Sequence, residues 1–206
     1  MIKKIDLKSG NKKIIDVAVK ILKNGGVIIY PTDTAYGMGC DACNQKAVEK
    51  IFKIKGRKKS KSLPVIVSSL KMAEKIFILN EKEKELAVKY LGKLSLVLKV
   101  KNDDIAKGIV ANDMTVAVRV PNLSLAKSIC AKLGSPIVST SANFSGSGAC
   151  YSVNEIKNSF KNSDNLEKSV DLIIDGGEIP KVSSSAIVRV IGDNVEVLRE
   201  GHGINF

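Results

Sequence analysis

Between Asn11 and Lys23, apolar residues recur at Ile14, Val17/Ala18 and Ile21/Leu22, the stripe of a helix that Gly25-Gly26 closes. The continuous apolar run Val27-Ile28-Ile29-Tyr30, stopped by Pro31, predicts a short buried strand. Asn44 is placed to cap a second helix with Ala47, Val48, Ile51 and Phe52 on its inner face. Val65-Ile66-Val67 predicts a strand, and Ser68-Ser69 the entry to a helix. Asn80 with Glu83 starts another, expected to bury Leu86, Ala87, Tyr90 and Leu91. Strands are predicted over 94–100 and 116–120, then a helix over 124–133 ended by Gly134. Ile137-Val138 leads into a loop rich in Ser and Thr, and Ser152 with Glu155 forms a capping-box pair. Strands at 172–174 and 185–198 follow, the latter folded at Gly192-Asp193-Asn194. The alternation predicts one α/β domain over 1–206 with flanking helices and one twisted mixed sheet, because the last hairpin must be antiparallel.

At 206 residues the chain is large enough to close a single core. With 44% apolar and 26% charged residues it reads as globular, and no stretch is long and apolar enough for a membrane span. The start, Met1 to Asp6, has no apolar leader region, so a cytoplasmic location without membrane association is expected.

The formal net charge of +12 favours phosphate-bearing partners, nucleotide or nucleic acid. Aromatics at 4% with no Trp argue against an extended surface for stacking single-stranded bases. Of 33 basic residues only four are Arg: Arg57, Arg119, Arg189 and Arg199. In a chain that otherwise uses Lys, each marks a place where a planar fork for carboxylate or phosphate has a use. Cys40 and Cys43 form a C-x-x-C, but the single histidine, His202, is too little to complete a zinc site or a Ser-His or Cys-His pair, so no metal centre is expected.

Three loops concentrate the remaining chemistry. Residues 31–39 place Thr32, Asp33, Thr34 and Tyr36 directly after a strand, with Gly37 and Gly39 allowing close backbone approach to a small polar ligand. Lys55-Gly56-Arg57 sets two cations one residue apart where the second helix ends. Neither G-x-x-x-x-G-K-[ST] nor G-x-G-x-x-G occurs, so side chains must bind any phosphate. Ser139-Thr140-Ser141-Ala142-Asn143 offers neutral donors after an apolar run. Strand alternation also puts Arg119 opposite Val116, Val118 and Val120, where an unpaired guanidinium is costly and must meet an anion.

In order along the chain, Tyr30-Pro31-Thr32-Asp33-Thr34 with Tyr36-Gly37 and Gly39, Lys55-Gly56-Arg57, Arg119-Val120-Pro121, Ser141-Ala142-Asn143 with Ser145-Gly146, Ser185 and Arg199-Glu200-Gly201 resemble the YrdC-like threonylcarbamoyl-adenylate synthases. The K-x-R and distant S-x-N of that family are matched by Lys55, Arg57, Ser141 and Asn143.

The resemblance implies an α/β fold around a concave, positively charged cavity. It also implies a reaction in which L-threonine, bicarbonate and ATP, with accompanying Mg2+, give threonylcarbamoyl-AMP and pyrophosphate. The product is the donor that a tRNA-modifying transferase uses on adenosine beside the anticodon. By matching position, Thr32, Ser68, Arg119, Ser139 and Ser185 are expected to hold threonine, and Lys55, Arg57, Thr115, Ser141, Asn143 and Arg199 the nucleotide. Lys55 and Arg57 are the expected catalytic cations at the phosphates.

Leu63-Pro64, Ser68, Tyr90 to Lys93 and Ser185-Ala186 depart from the commoner family pattern, and the chain is expected to be a short form without the extra C-terminal domain. Two other activities stay open: a basic module of the same fold that binds RNA, and a paralogue that carbamoylates another acceptor.

Overall fold

In the computed structural model, residues 2–4, 12–122, 124–161, 166, 169–202 and 204 are described. The strands are β1 (Ile2–Lys4), β2 (Ile28–Pro31), β3 (Tyr36–Gly39), β4 (Val65–Ile66), β5 (Phe77–Ile78), β6 (Leu94–Val100), β7 (Thr115–Arg119), β8 (Ile137–Val138), β9 (Thr140–Ser141), β10 (Leu172–Asp175), β11 (Ala186–Ile191) and β12 (Asn194–Arg199). The helices are α1 (Lys12–Lys23), α2 (Gln45–Lys55), α3 (Leu70–Ile76), α4 (Glu81–Lys89), α5 (Ser124–Leu133) and α6 (Val153–Ser159). None of the described helices is long and apolar enough to cross a membrane.

The strands form two mixed sheets, not the single sheet expected. One runs β1-β10-β2-β3-β9; the other runs β12-β11-β6-β7-β4-β8, with β5 paired to β6. The chain passes from the second sheet to the first between β8 and β9, with Ser139 alone between them. Gly39 lets the sheets meet there, since a Cβ on it would stand 2.5 Å from the Val138 carbonyl oxygen. Period-two patterning reports which face of a strand is buried but not which strands pair, so the division was not readable from the sequence.

The helical stripes pack as their spacing predicts. Ile14, Ala18 and Leu22 of α1 join Leu125, Ala126 and Ile129 of α5 over Ile28, Tyr30, Leu172 and Ile174 of the first sheet. Ala47, Val48, Ile51 and Phe52 of α2 enter a larger core with Leu94, Leu96 and Leu98 of β6 and Val116 and Val118 of β7. Each such aliphatic side chain contributes about 1.5–3 kcal/mol by leaving water.

Caps follow the local signals. Asn44 accepts from the Ala47 amide, and Asn80 and Glu83 form a reciprocal box. At α6, Ser152 accepts from the Glu155 amide, but the Glu155 carboxylate accepts from Tyr151 instead of closing the expected box. Helix α4 is shallower than predicted: Leu86 is buried, while Leu91 lies beyond the helix and is exposed. Residues 36–39, read as part of a binding loop, pair as a strand, with Pro31 opposite Tyr36. The expected helix start at Asn11 lies outside the described residues.

Candidate active site

The concave face of the second sheet is set by alternation. On β7, Val116 and Val118 point into the core, so Ala117 and Arg119 take the opposite face. On β6, Leu94 and Leu96 go inward and Ser95 outward; on β11, Val188 goes inward and Ile187 outward. This face, the β2–β3 turn, the β8–β9 crossing and the segment before β11 enclose a cavity of about 580 Å³.

Eight of the eleven predicted site residues line this one cavity: Thr32, Arg57, Arg119, Ser139, Ser141, Asn143, Ser185 and Arg199. Three of the four arginines are among them, and no carboxylate is found in the lining among the described residues. The fourth, Arg189, pairs with Asp113 at 3.0 Å.

The Arg119 Nη1 donates to Asp33 Oδ1 at 2.8 Å and to the Gly92 carbonyl at 3.0 Å. The anion that a buried strand arginine requires is therefore already partly supplied from within the chain. Arg199 donates from Nε and Nη2 to the Ser185 carbonyl, at 3.1 and 2.6 Å. Burial and the neighbouring positive charge of Arg119 both lower the Arg199 pKa. The Ser185 hydroxyl is 3.2 Å from that of Ser95. Tyr30 donates to the Ser139 hydroxyl at 3.1 Å, and burial raises the phenol pKa to about 12. Thr32 uses its hydroxyl to close the β2–β3 turn, donating to the Ala35 carbonyl at 2.6 Å.

Arg57 donates from Nε and Nη2 to the carbonyls of Lys61 and Ser62, at 3.2 and 2.9 Å. The long basic loop is folded back around this guanidinium, whose pKa burial lowers. Gly56, in the left-handed region at φ 58°, ends α2 and turns Arg57 away from the helix axis.

Three predicted residues are placed elsewhere. Lys55 is only 2% exposed and does not line the cavity. It completes the last turn of α2, so its ammonium lies beneath the S-x-N loop and donates to the Ser141 and Asn143 carbonyls and to Asn143 Oδ1. Burial, and next the Arg57 charge, lower its pKa to about 7. In this structure it fastens the loop, and it is not among the residues that line the cavity, where the sequence reading expected it.

Ser68 donates to the Met72 sulfur at 3.6 Å and lines a separate cavity beside Cys43 and Ser135. Thr115 shares a face with Arg119, but four residues of strand separate them by about 13 Å. Its hydroxyl donates to Asp113 at 2.6 Å.

The sequence reading also missed cavity residues, among them Ser95, Ser62 and Tyr151. For Ser95 a signal existed: a hydroxyl on the outer phase of the alternating run Leu94-Ser95-Leu96. Nothing local marks the other two.

The family model described as "Telomere recombination", for Sua5/YciO/YrdC proteins, matches residues 20–201, a span that contains every cavity residue named above. The chain belongs to the Sua5/YciO/YrdC family.

Within it, the threonylcarbamoyl-AMP synthase of Pseudoalteromonas translucida is 34% identical over 154 residues, 73% of this chain and 82% of that protein. The structure of P. abyssi Sua5 complexed with L-threonine superposes with a TM-score of 0.85 at 28% identity, covering 98% of this chain. This chain spans only 57% of that longer Sua5 chain. E. coli YciO superposes with a TM-score of 0.84 at 28% identity, covering 99% of this chain and 97% of YciO. The Sua5/YciO/YrdC fold thus accounts for essentially the whole described chain.

Proposed function

We propose that this protein is a threonylcarbamoyl-AMP synthase, a nucleotidyltransferase that makes threonylcarbamoyl-AMP and pyrophosphate from L-threonine, bicarbonate and ATP. The reading is carried by one cavity lined by three guanidinium groups together with several hydroxyls. The relatives named for this activity support it.

Arg119 suits the threonine carboxylate: with Nη1 on Asp33 and Gly92, the Nε–Nη2 edge is the bidentate fork. Ser139, Ser185 and Thr32 are hydroxyls within the same cavity for the rest of the amino acid. Arg57, Ser141, Asn143 and Arg199 would take the nucleotide, with Arg57 at the phosphates. A carbamate oxygen on the threonine nitrogen attacks the α-phosphorus as the bond to pyrophosphate breaks. The step needs no enzymic nucleophile, only alignment and neutralisation of charge. Among the described residues no group of three or more His, Cys, Asp and Glu gathers to hold a metal ion. Mg2+ would arrive on the ATP phosphates and add charge neutralisation there. The product would pass to a tRNA-modifying transferase.

Purified protein given ATP, Mg2+, bicarbonate and labelled threonine is expected to release pyrophosphate only when threonine is present. No threonine-dependent release from folded protein would defeat the reading. Arg119→Ala should raise the threonine requirement without a matching change for ATP. Two other readings are tested beside it. The chain is 30% identical to E. coli YciO over 93% of its length, so a screen of other amino acids as acceptors belongs with the assay. RNA binding through the net charge of +12 predicts salt-sensitive tRNA affinity independent of threonine and ATP.

A further inference from the structure

Asp33 stands on the β2–β3 turn, where Thr32 Oγ1 bonds the Ala35 carbonyl and accepts from the amides of Thr34 and Ala35 at 3.2 and 3.3 Å. The turn is therefore stiff, and its one carboxylate reaches Arg119, whose side chain is about nine-tenths buried. Asp33 faces a second cavity of about 410 Å³, lined also by Leu91, Lys93, Asn122 and His202. Arg119 faces the main cavity, and Thr34, Ser183 and Ser185 belong to both. The ion pair forms part of the wall between the two spaces. Gly92 completes it, its carbonyl taking the second Nη1 bond, while a Cβ there would meet Asn122 Cβ at 2.7 Å and Asp33 Oδ2 at 3.2 Å.

We infer that Asp33 is a positioning residue: it holds the Nη1 corner of Arg119 in the wall so that the Nε–Nη2 edge faces the substrate carboxylate. This rests on the threonine-binding reading of the cavity. Two features make the hold necessary. Arg199 is close enough to Arg119 for the two like charges to repel, and Asp33 is the carboxylate with which Arg119 pairs. An arginine side chain also has enough rotatable bonds to turn into the neighbouring cavity once its corner is released.

The test compares wild type, Asp33→Asn and Asp33→Ala in threonine- and ATP-dependent pyrophosphate release. For Asp33→Ala the threonine KM is expected to rise about ten-fold, as for loss of a largely buried ion pair, with the ATP KM within about two-fold. Asp33→Asn, which keeps an oxygen acceptor for Nη1, should recover part of the loss. In an Arg119→Ala background, adding Asp33→Ala should change equilibrium threonine binding little. A further separate loss there would mean that Asp33 touches the substrate itself, and the inference falls.

Crystal structures of wild type and Asp33→Ala supply a readout independent of activity. The guanidinium is expected to leave the Gly92 carbonyl in the variant, and an unmoved guanidinium overturns the inference. If the Ala variant does not fold, Asp33→Leu, which fills the space without an acceptor, replaces it. A wild type that binds no threonine but whose Arg119 still turns in the variant defeats the substrate assignment and leaves the positioning role standing.

Discussion

Lys55 and Asn143, 88 positions apart in the chain, are joined twice: the ammonium donates to the Asn143 main-chain carbonyl at 2.8 Å and to its side-chain oxygen at 3.1 Å. The Asn143 Oδ1 also accepts from the Ser141 hydroxyl at 2.5 Å, and its amide nitrogen donates to the Ser147 carbonyl. The end of α2 thereby determines the shape of the S-x-N loop. The two cations of the K-x-R are placed differently: Lys55 is buried beneath the loop, and Arg57 lines the cavity.

Lys55→Met keeps most of the aliphatic stem but removes the ammonium that ties three loop oxygens together, and of these the Ser141 carbonyl and Asn143 Oδ1 keep their bonds from the Asn143 amide and the Ser141 hydroxyl. A loss of about 2–4 kcal/mol in folding stability is expected, measurable by urea unfolding. The ATP requirement should rise with it, because the loop that shifts carries Ser141 and Asn143. Arg57→Ala should reduce turnover with a much smaller change in the unfolding midpoint. Equal destabilisation by both would contradict the division of roles.

The Lys55 ammonium also predicts a pH dependence. Its pKa is near 10.4 in an unfolded chain and about 7 in the folded protein. Between these values the unfolded chain binds more protons, so the free energy of unfolding rises with pH. The contribution of Lys55 is smallest below pH 7 and grows toward pH 10, by at most ~1.4 kcal/mol per pH unit. Urea midpoints of wild type and Lys55→Met at about pH 6, 7.5 and 9 should diverge as pH rises. A constant gap would show that the ammonium stays charged throughout.

Tyr30→Phe removes the phenol donor from Ser139 while keeping the ring in the core. A stability loss of about 1 kcal/mol is expected, with a rise of a few-fold in the threonine requirement and little change for ATP. Kinetics of the variant check this, and an effect confined to ATP would place Ser139 at the nucleotide instead.

Gly201→Ala should be severe for a steric reason. A Cβ at Gly201 would stand 2.0 Å from the Ala186 nitrogen and 2.7 Å from the Ser185 carbonyl carbon, and neither is a flexible side-chain end. The C-terminal strand must move away from β11, breaking the Arg199 fork on the Ser185 carbonyl. Destabilisation of about 2 kcal/mol or more and weakened use of both substrates are expected, read from thermal unfolding and the two KM values.

The sequence alone determined what depends on near neighbours. Helical stripes on α1 and α2, caps at Asn44 and Asn80, and the outward phase of Arg119 on its strand follow from spacings of two to four residues, which helix and strand geometry convert directly into faces. The family resemblance was likewise enough to name eight residues of the cavity lining, Arg57 and Ser139 among them.

Only the tertiary structure decided how the strands divide into two sheets at Ser139, that Asp33 answers the charge of Arg119, and that Lys55 lies under the loop while Thr115 and Ser68 lie away from the cavity. Each depends on which distant segment packs against a residue. A lysine that ends a helix carries the same local signal whether its ammonium meets a ligand phosphate or a carbonyl 88 positions along the chain, and long-range packing chooses between them.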